Sequence, residues 1–255
     1  MTAAPLIAMR GVKKSFQGVP VLRGVDLEVG EGQTFVLLGS SGSGKTVLMK
    51  HLEGLIRPDE GSVIVDGHEL CDGDPHELDA VHREVGIQFQ SGALFDSVSV
   101  EDNVAFPLRE LLHLKEREVR ERVDEMLKLL GLTDARDRRP SQISGGMIKR
   151  VAFARAMVMK PRVLLADEPT AGLDPIMTET VDEAIQVARK QLGVTGFVIT
   201  HDLPTAFRIA DLVGLLHEGR VIEAAAPGVF RTSKHPAVRL FLKDWREREA
   251  EARAI

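Results

Sequence analysis

Residues 35–46 read FVLLGSSGSGKT. The first four, Phe35 to Leu38, form an unbroken apolar run, which is typical of a strand that is covered on both faces in a parallel sheet. The rest matches the pattern G-x-x-x-x-G-K-[ST], and residues 47–54 beyond it are compatible with a helix. In this pattern the glycines let backbone N–H groups converge on phosphate oxygens, and the start of the helix adds positive partial charge. The stretch therefore predicts a strand, a phosphate-binding loop and a helix.

The candidate phosphate-binding residues are those of the loop itself: Gly39, Ser40, Ser41, Gly42, Ser43, Gly44, Lys45 and Thr46. In a loop of this pattern the lysine reaches the β- and γ-phosphates of a nucleotide, and the final hydroxyl is a ligand of Mg²⁺. The alternative is a flexible Gly/Ser loop without a ligand. The strand predicted before the loop and the helix predicted after it argue against that alternative.

The composition excludes several other classes of protein. The chain has 255 residues, 44% of them hydrophobic, and its formal net charge of −5 argues against a protein that mainly neutralises nucleic-acid phosphates. A single cysteine, Cys71, cannot form an internal disulfide, so a reducing compartment is expected. No apolar stretch is long enough for a transmembrane helix, and residues 1–10 lack the pattern of a secretory signal. We therefore expect a cytoplasmic protein without a membrane segment of its own.

Apolar patterns elsewhere predict further strands. Two more unbroken runs, 163–166 and 197–199, are expected to join the first one in a mostly parallel core sheet. Residues 25–29 and 62–66 alternate between apolar and polar side chains, which predicts half-exposed antiparallel strands.

Helical patterns lie between these strands. Apolar residues recur at helical spacing over 119–130 and 181–192, and the second helix is expected to begin after an N-cap at Asp174 and to stop at Gly193. The segment 92–160 lacks strand-like runs and predicts a helical insertion. Alternating strands and helices indicate an α/β fold.

Acidic residues and a histidine follow two of the predicted core strands. Asp167 and Glu168 come directly after one run, and His201 closely follows another. In open α/β sheets ligands gather at the carboxyl ends of the strands. Asp167 is therefore a candidate ligand of Mg²⁺, Glu168 a candidate general base for an attacking water, and His201 a candidate contact of the γ-phosphate. The alternatives are a solvated loop or helix cap for the two acids and a structural role for the histidine, and the nearby phosphate loop disfavours them.

Several ordered motifs, together with the phosphate loop, resemble the ATPase subunits of ABC transporters. Residues 143–147, ISGGM, are similar to the signature sequence LSGGQ of that family. Gln90 is similar to its Q-loop glutamine, residues 172–174 to its D-loop and His201 to its switch histidine. Phe16 lies where the family has an aromatic ring that stacks on adenine, with a position in the core as the alternative.

This resemblance implies an ATPase that uses ATP and Mg²⁺ and shares its sites between two subunits. ATP would lie between the phosphate loop of one chain and the signature of a second copy, in a head-to-tail dimer. The implied catalytic residues are Glu168, His201 and Gln90, and the implied Mg²⁺ ligands are Thr46, Gln90 and Asp167. Besides the loop, the implied ATP-binding residues are Phe16, Ser144, Gly145, Gly146 and Asp174. Ile143 and Met147 depart from the signature, but its serine and both glycines are present, so a working site is expected.

The resemblance also implies the organisation of the chain. It covers about residues 6–228, which implies a P-loop NTPase fold of the ABC type with a mostly parallel core sheet, an antiparallel β subdomain and a helical subdomain. Residues 229–255 would form a C-terminal extension, and the charged stretch around Trp245 fits either a solvated helix or a docking segment for a partner. The implied core is 6–91 and 161–228, and the implied helical subdomain is 92–160.

Two stretches, 89–95 and 102–109, resemble the ATPases of Mla-type phospholipid transport systems, the MlaF-like and Mkl-like group. This resemblance implies three partners besides a second copy: an MlaE-like permease, an MCE-domain lipid-binding protein and, in many systems, a STAS-domain protein. It places the chain at the cytoplasmic face of the inner membrane, held there by the permease. The expected function is to drive phospholipid transport between the inner and outer membranes, which maintains outer-membrane lipid asymmetry.

Three other functions are alternatives to this expectation. The first is the ATPase of an importer for amino acids or another small solute. The second is a nucleotide-gated binding module without hydrolysis, which the presence of all the expected acids disfavours. The third is a nucleic-acid repair ATPase, which is disfavoured by the acidic charge and by the gap between Lys45 and Asp167, too short for a long coiled-coil insertion.

Overall fold

The computed structural model describes residues 4–71 and 75–253, with side chains described up to residue 247. The strands are β1 Ile7–Phe16, β2 Val19–Val29, β3 Thr34–Leu38, β4 Glu60–Val65, β5 His68–Glu69, β6 Val85–Gln88, β7 Val163–Asp167, β8 Thr195–Ile199, β9 Leu212–His217 and β10 Arg220–Ala225. The helices are α1 Lys45–Leu52, α2 Pro75–Glu84, α3 Val100–Glu110, α4 Glu116–Leu129, α5 Gly145–Met157, α6 Pro175–Leu192, α7 Leu203–Ile209, α8 Pro227–Phe230 and α9 Pro236–Arg253.

Two sheets organise these elements. The larger sheet has the order β10-β9-β3-β8-β7-β6, and its strands pair in parallel except for β10, which lies antiparallel to β9 at the edge. The smaller sheet is antiparallel and has the order β2-β1-β4-β5. The prediction of a mostly parallel core sheet beside an antiparallel β part is therefore confirmed.

Residues 35–38 of β3 are all apolar because this strand lies inside the larger sheet with a hydrophobic core on each face. Val36 and Leu38 belong to the core that the helices α3 to α6 help to form. Phe35 and Leu37 point into a second core, shared with α1 and the smaller sheet, where the ring of Phe35 stacks on that of Phe197 with their centroids 5.6 Å apart. A polar side chain in place of one of these four would have to be buried, which is unfavourable unless it finds a hydrogen-bond partner.

Helix α6 begins and ends where the sequence predicts, and α5 begins with a cap of the same kind. Asp174 caps α6 by accepting hydrogen bonds from the backbone N–H groups of Ile176 and Met177, each at 3.0 Å, and Gly193 ends that helix with a left-handed φ of +68°. Ser144 caps α5 in the same way, accepting a bond from the N–H of Met147 at 3.2 Å. Both caps begin a helix at a residue that the motifs had singled out.

Residues 92–160, which the structure describes throughout, contain α3, α4, α5 and two short 3-10 helices, and no strand. The predicted helical insertion is present over this range. Among the described residues, no helix has both the length and the apolar character that crossing a membrane requires.

The C-terminal helix α9 packs against the rest of the chain. Val238 and Leu242 are buried in the first core, and Phe241 and Trp245 lie partly buried against it. At Trp245 the alternative of a freely solvated helix is therefore wrong. Docking of a partner to this extension stays a prediction.

A buried carboxylate joins α6 to α7, the helix that follows the predicted switch histidine. Asp182 is fully buried and accepts hydrogen bonds from the hydroxyl of Thr205 at 3.1 Å and from the guanidinium of Arg208 at 3.0 Å. Its second oxygen has no hydrogen-bond partner in the part of the chain that the structure describes. Burial raises the pKa of Asp182 to about 6, although both hydrogen bonds act in the opposite direction.

Replacing Asp182 by Asn is expected to flatten the pH dependence of stability. The raised pKa means that the folded chain binds this proton more tightly than the unfolded chain, so the stabilising contribution is full below the ordinary pKa of aspartate and is lost as the pH rises through about 6. Relative to the Asn variant, the native chain should lose on the order of 2 kcal/mol of unfolding free energy between about pH 4.5 and about pH 7. Urea denaturation of both proteins across this range measures the difference, and parallel pH curves would contradict the assignment.

Candidate nucleotide site

A cavity of about 440 Å³ opens at the carboxyl ends of the parallel strands. It brings together most of the predicted phosphate loop, both predicted acids, the predicted Q-loop glutamine Gln90 and the predicted switch histidine His201. The lining residues are Val21, Gly39, Ser41, Gly42, Gly44, Lys45, Thr46, Val47, Gln90, Asp167, Glu168 and His201.

The phosphate loop has the backbone geometry that its glycines allow. Gly42 and Gly44 have φ angles of +78° and +105°, in the left-handed region that favours glycine. The ammonium group of Lys45 donates to the carbonyl oxygens of Gly39 at 2.8 Å and Ser40 at 3.0 Å, so it spans the loop. No side chain in the described ranges caps α1, which leaves its first N–H groups available to an anion.

Opposite charges face each other across the cavity. Burial lowers the pKa of Lys45, while the carboxylates of Glu168 and Asp167 act in the opposite direction. Burial raises the pKa of Asp167, and its neighbour Glu168 adds to that effect. A desolvated lysine opposite two carboxylates is suited to bind a nucleotide phosphate together with a divalent cation, because each ligand charge then meets an opposite one.

The donor set fits Mg²⁺. Thr46, Gln90 and Asp167 line one cavity and offer a hydroxyl, an amide oxygen and a carboxylate, which are the hard oxygen ligands that Mg²⁺ prefers. Mg²⁺ at nucleotide sites is usually held by only one or two carboxylates together with phosphate oxygens and water, and Asp167 supplies such a carboxylate. The described residues contain no cluster of three or more His, Cys, Asp or Glu side chains able to hold a metal.

Glu168 is held in one orientation by its neighbours. Its backbone has a φ of +49°, which is uncommon outside glycine, and strain of this kind is concentrated at functional sites. Its carboxylate accepts hydrogen bonds from the hydroxyl of Thr200 at 3.2 Å and the backbone N–H of His201 at 3.3 Å. The carboxylate therefore lies at the cavity wall with its direction set by the end of β8.

His201 contacts Glu168 directly. Its Nδ1 atom lies 2.9 Å from Oε1 of Glu168, and this contact raises the pKa of the imidazole. The side chain of His201 is 70% exposed and lines the cavity, so its other ring nitrogen is free to face a ligand. A contact with the γ-phosphate stays a prediction.

Other predicted residues lie outside this cavity. Ser144, Gly145 and Gly146 start α5 and do not line the cavity, and the first two are exposed. Asp174 is exposed, and its side chain caps α6. Phe16, at the end of β1, is 45% exposed, so its alternative position in the core is wrong. The chain by itself therefore forms only part of the predicted ATP site.

Lys149, on α5, was not identified from the sequence. Its ammonium group donates to the backbone oxygen of Gln90 and lies 3.4 Å from the backbone oxygen of Glu168. Burial lowers the pKa of Lys149, and the two neighbouring carboxylates oppose that effect. One side chain thus links the helix that begins at the signature to two segments of the cavity wall. Only its position two residues after the ISGGM motif could have drawn attention to it.

Replacing Lys149 by Met is expected to lower kcat about three- to tenfold and to change KM for ATP by less than about twofold. The reason is that both bonds position backbone segments, while Lys149 itself does not line the cavity. The Arg variant keeps a cation and its donors and should retain most of the activity. Steady-state ATPase assays and melting temperatures of both variants test this, and an unchanged kcat in the Met variant would rule out a positioning role.

Comparisons with known proteins agree with this geometry. The profile of the ABC transporter family matches residues 22–171. The probable ribonucleotide transport ATP-binding protein Mkl of Mycobacterium leprae is 40% identical over 236 residues, which are 92% of this chain and 68% of that protein. The methionine import ATP-binding protein MetN of Symbiobacterium thermophilum is 41% identical over 239 residues, covering 92% of this chain and 71% of that protein. The aligned region is thus about two thirds of the length of these relatives.

Solved structures show the same fold. The dimeric ATP-binding cassette MJ0796 bound to ADP and Pi superposes with a TM-score of 0.82 at 30% identity, covering 87% of this chain and 98% of that one. The CbiO1 protein of Clostridium perfringens, part of an ABC transporter complex, superposes with a TM-score of 0.80 at 30% identity, over 94% and 98% of the two chains. This chain therefore belongs to the ABC transporter family and is one of its ATP-binding, ATP-hydrolysing subunits.

Proposed function

We propose that this ATPase works as a head-to-tail dimer that drives phospholipid transport through an Mla-type permease. The incomplete site supports the dimer, because the phosphate loop lines the cavity while Ser144 to Gly146 lie outside it. A second copy would bring its own α5 N-terminus, with its positive partial charge, to the γ-phosphate. ATP then joins the two chains, and hydrolysis lets them separate.

The residues of the cavity divide the chemistry between them. Glu168 takes a proton from a water as that water attacks the γ-phosphorus, and the bond to the β–γ bridging oxygen breaks to give ADP and phosphate. His201 orients Glu168 and faces the γ-phosphate, and Lys45 stabilises the charge on the phosphates. Mg²⁺, held by Thr46, Asp167 and Gln90, would neutralise the charge that builds up on the phosphate oxygens.

A second feature supports a permease partner. An apolar groove of about 420 Å³, which we call the α1–α3 groove, lies between the end of α1, strand β6 and α3. Leu55, Phe89, Phe95 and Phe106 line it, and these side chains are 37–58% exposed. Exposed apolar patches with a polar rim mark interaction sites in soluble proteins. We assign the groove to a cytoplasmic segment of the permease, which would hold the chain at the cytoplasmic face of the inner membrane.

The proposal of phospholipid transport is supported by the residues that line this groove. Residues 89–95 and 102–109, the two stretches that resemble Mla-type ATPases, contribute three of its exposed phenylalanines. On this proposal an MCE-domain protein and a STAS-domain protein belong to the same assembly. The similarity to MetN, a methionine import ATP-binding protein, favours a small-solute importer as the second candidate.

Reconstitution separates the two candidates. The chain is co-expressed with an MlaE-like permease and an MCE-domain protein from the same genome, and the complex is placed in liposomes that contain a fluorescent phospholipid. ATP-dependent transfer of that lipid to acceptor vesicles, absent with a non-hydrolysable ATP analogue, is the expected result. Failure to form a complex with this permease, or stimulation of its ATPase by methionine rather than by phospholipid, would favour the importer.

A further inference from the structure

The α1–α3 groove contains a carboxylate among its apolar side chains. Glu53 follows the last residue of α1 and lines the groove, yet the residue is only 4% exposed. Within the described residues, its carboxylate has neither a hydrogen-bond partner nor an ion-pair partner. A mostly buried carboxylate without a partner is poorly solvated, so a cation that entered the groove would stabilise its ionised form.

The charged groups near Glu53 do not supply that group. His82, on α2, contacts the backbone oxygen of Glu53 at 3.1 Å and not its carboxylate. Arg155, on α5, donates to the backbone oxygens of Ala93 at 2.7 Å and Gly92 at 2.8 Å, so its guanidinium is bound to the segment that follows β6 and not to Glu53.

Two further charges act on Glu53 from inside the chain. Burial and then the negative charge of Asp167 raise the pKa of Glu53 to about 7, while Lys50 acts weakly in the opposite direction. The carboxyl group is therefore poised between its neutral and ionised forms near neutral pH, and a cation placed beside it would shift it to the ionised form.

We propose that Glu53 binds a lysine or arginine side chain of the permease segment that enters the α1–α3 groove. The groove would then select its permease by charge as well as by apolar fit, because an acidic residue at that point would meet a like charge. This inference rests on the proposed function, since it requires a permease partner. It adds the requirement that the permease segment carries a basic side chain where it meets Glu53.

The test measures the dissociation constant between the purified chain and an MlaE-like permease from the same genome, held in nanodiscs. We expect the native chain to bind more tightly as the pH rises from about 6 to about 8, because ionised Glu53 pairs with the cation. The Glu53→Gln variant has the same shape and should bind at least about tenfold more weakly at about pH 8, with little pH dependence. The Glu53→Lys variant should bind more weakly still.

Two controls isolate the effect of Glu53. Glu183→Gln removes an exposed carboxylate on α6, away from the groove, and should bind like the native chain. His82→Gln removes the neighbouring imidazole and should keep the pH dependence. Changing one basic residue of the permease segment to Glu should restore the binding of Glu53→Lys, which identifies the partner residue. Melting temperatures of the isolated variants confirm that each one is folded.

The outcomes distinguish the two proposals. If Glu53→Gln binds as tightly as the native chain at every pH, the partner group is not a cation and the inference is wrong, while the permease assignment stands. If no permease change restores Glu53→Lys, the inference is also wrong. If the native chain does not bind the permease at all, both proposals fail together.

Discussion

Replacing Glu168 by Gln is expected to lower ATP turnover by about 100-fold or more while ATP still binds. Gln has nearly the shape of Glu and keeps an oxygen that can accept the bonds from Thr200 and the N–H of His201. It cannot take a proton from the attacking water, so the step that breaks the γ-phosphate bond loses its base. Because ATP binds and is not hydrolysed, the proposed dimer should persist in ATP.

The measurement combines a phosphate-release assay with the oligomeric state in ATP, determined by light scattering. Glu183→Gln, which removes an exposed carboxylate on α6, is the matched control and should retain its turnover. Turnover of Glu168→Gln within about threefold of the native rate would show that Glu168 is not the general base.

Replacing Gly145 by Asp is expected to reduce turnover by at least about 100-fold without affecting the fold. Gly145 is the first residue of α5, and a Cβ atom built there would have no described atom within 4 Å beyond its chain neighbours and the backbone of its own helix. An acidic residue in the first turn of a helix is also favourable for the helix dipole. In the proposed dimer, however, the new carboxylate would face the γ-phosphate that the second copy binds, and two negative charges there repel each other.

The matched control for this variant is Gly228→Asp. Gly228 also lies at the start of a helix, α8, with no atom within 4 Å of an added Cβ, but outside the cavity. Both variants should melt near the native temperature, and only Gly145→Asp should lose turnover. Equal turnover of the two variants would mean that the signature residues of one chain do not lie at the γ-phosphate that the second copy binds.

Local patterns predicted much of the fold. Runs such as 35–38 and 163–166 became parallel strands because both of their faces are covered, which leaves a recognisable trace in the sequence. The cap at Asp174 and the stop at Gly193 depend on contacts within a few residues of each end of α6. Such signals are short-range, so one sequence is enough to detect them.

Other features depend on contacts between distant parts of the chain. Lys149 contacts the backbone of Gln90 and Glu168 because α5 packs beside β6. No spacing in the sequence predicts these contacts. Trp245, in a stretch of charged residues, packs against the core because Val238 and Leu242 anchor the same helix. Both outcomes depend on packing between elements that are far apart in the sequence.

The sequence by itself determined the phosphate loop, the acids that follow β7 and the family, because motifs with a direct chemical purpose keep their residues at fixed spacing. The tertiary structure alone decided that Glu53 is mostly buried in an apolar groove and that its carboxylate has no partner among the described residues, as well as which way the carboxylate of Glu168 points. The physical reason is that the burial, the pKa and the orientation of a carboxyl group depend on everything packed around it, and those neighbours come from the whole chain.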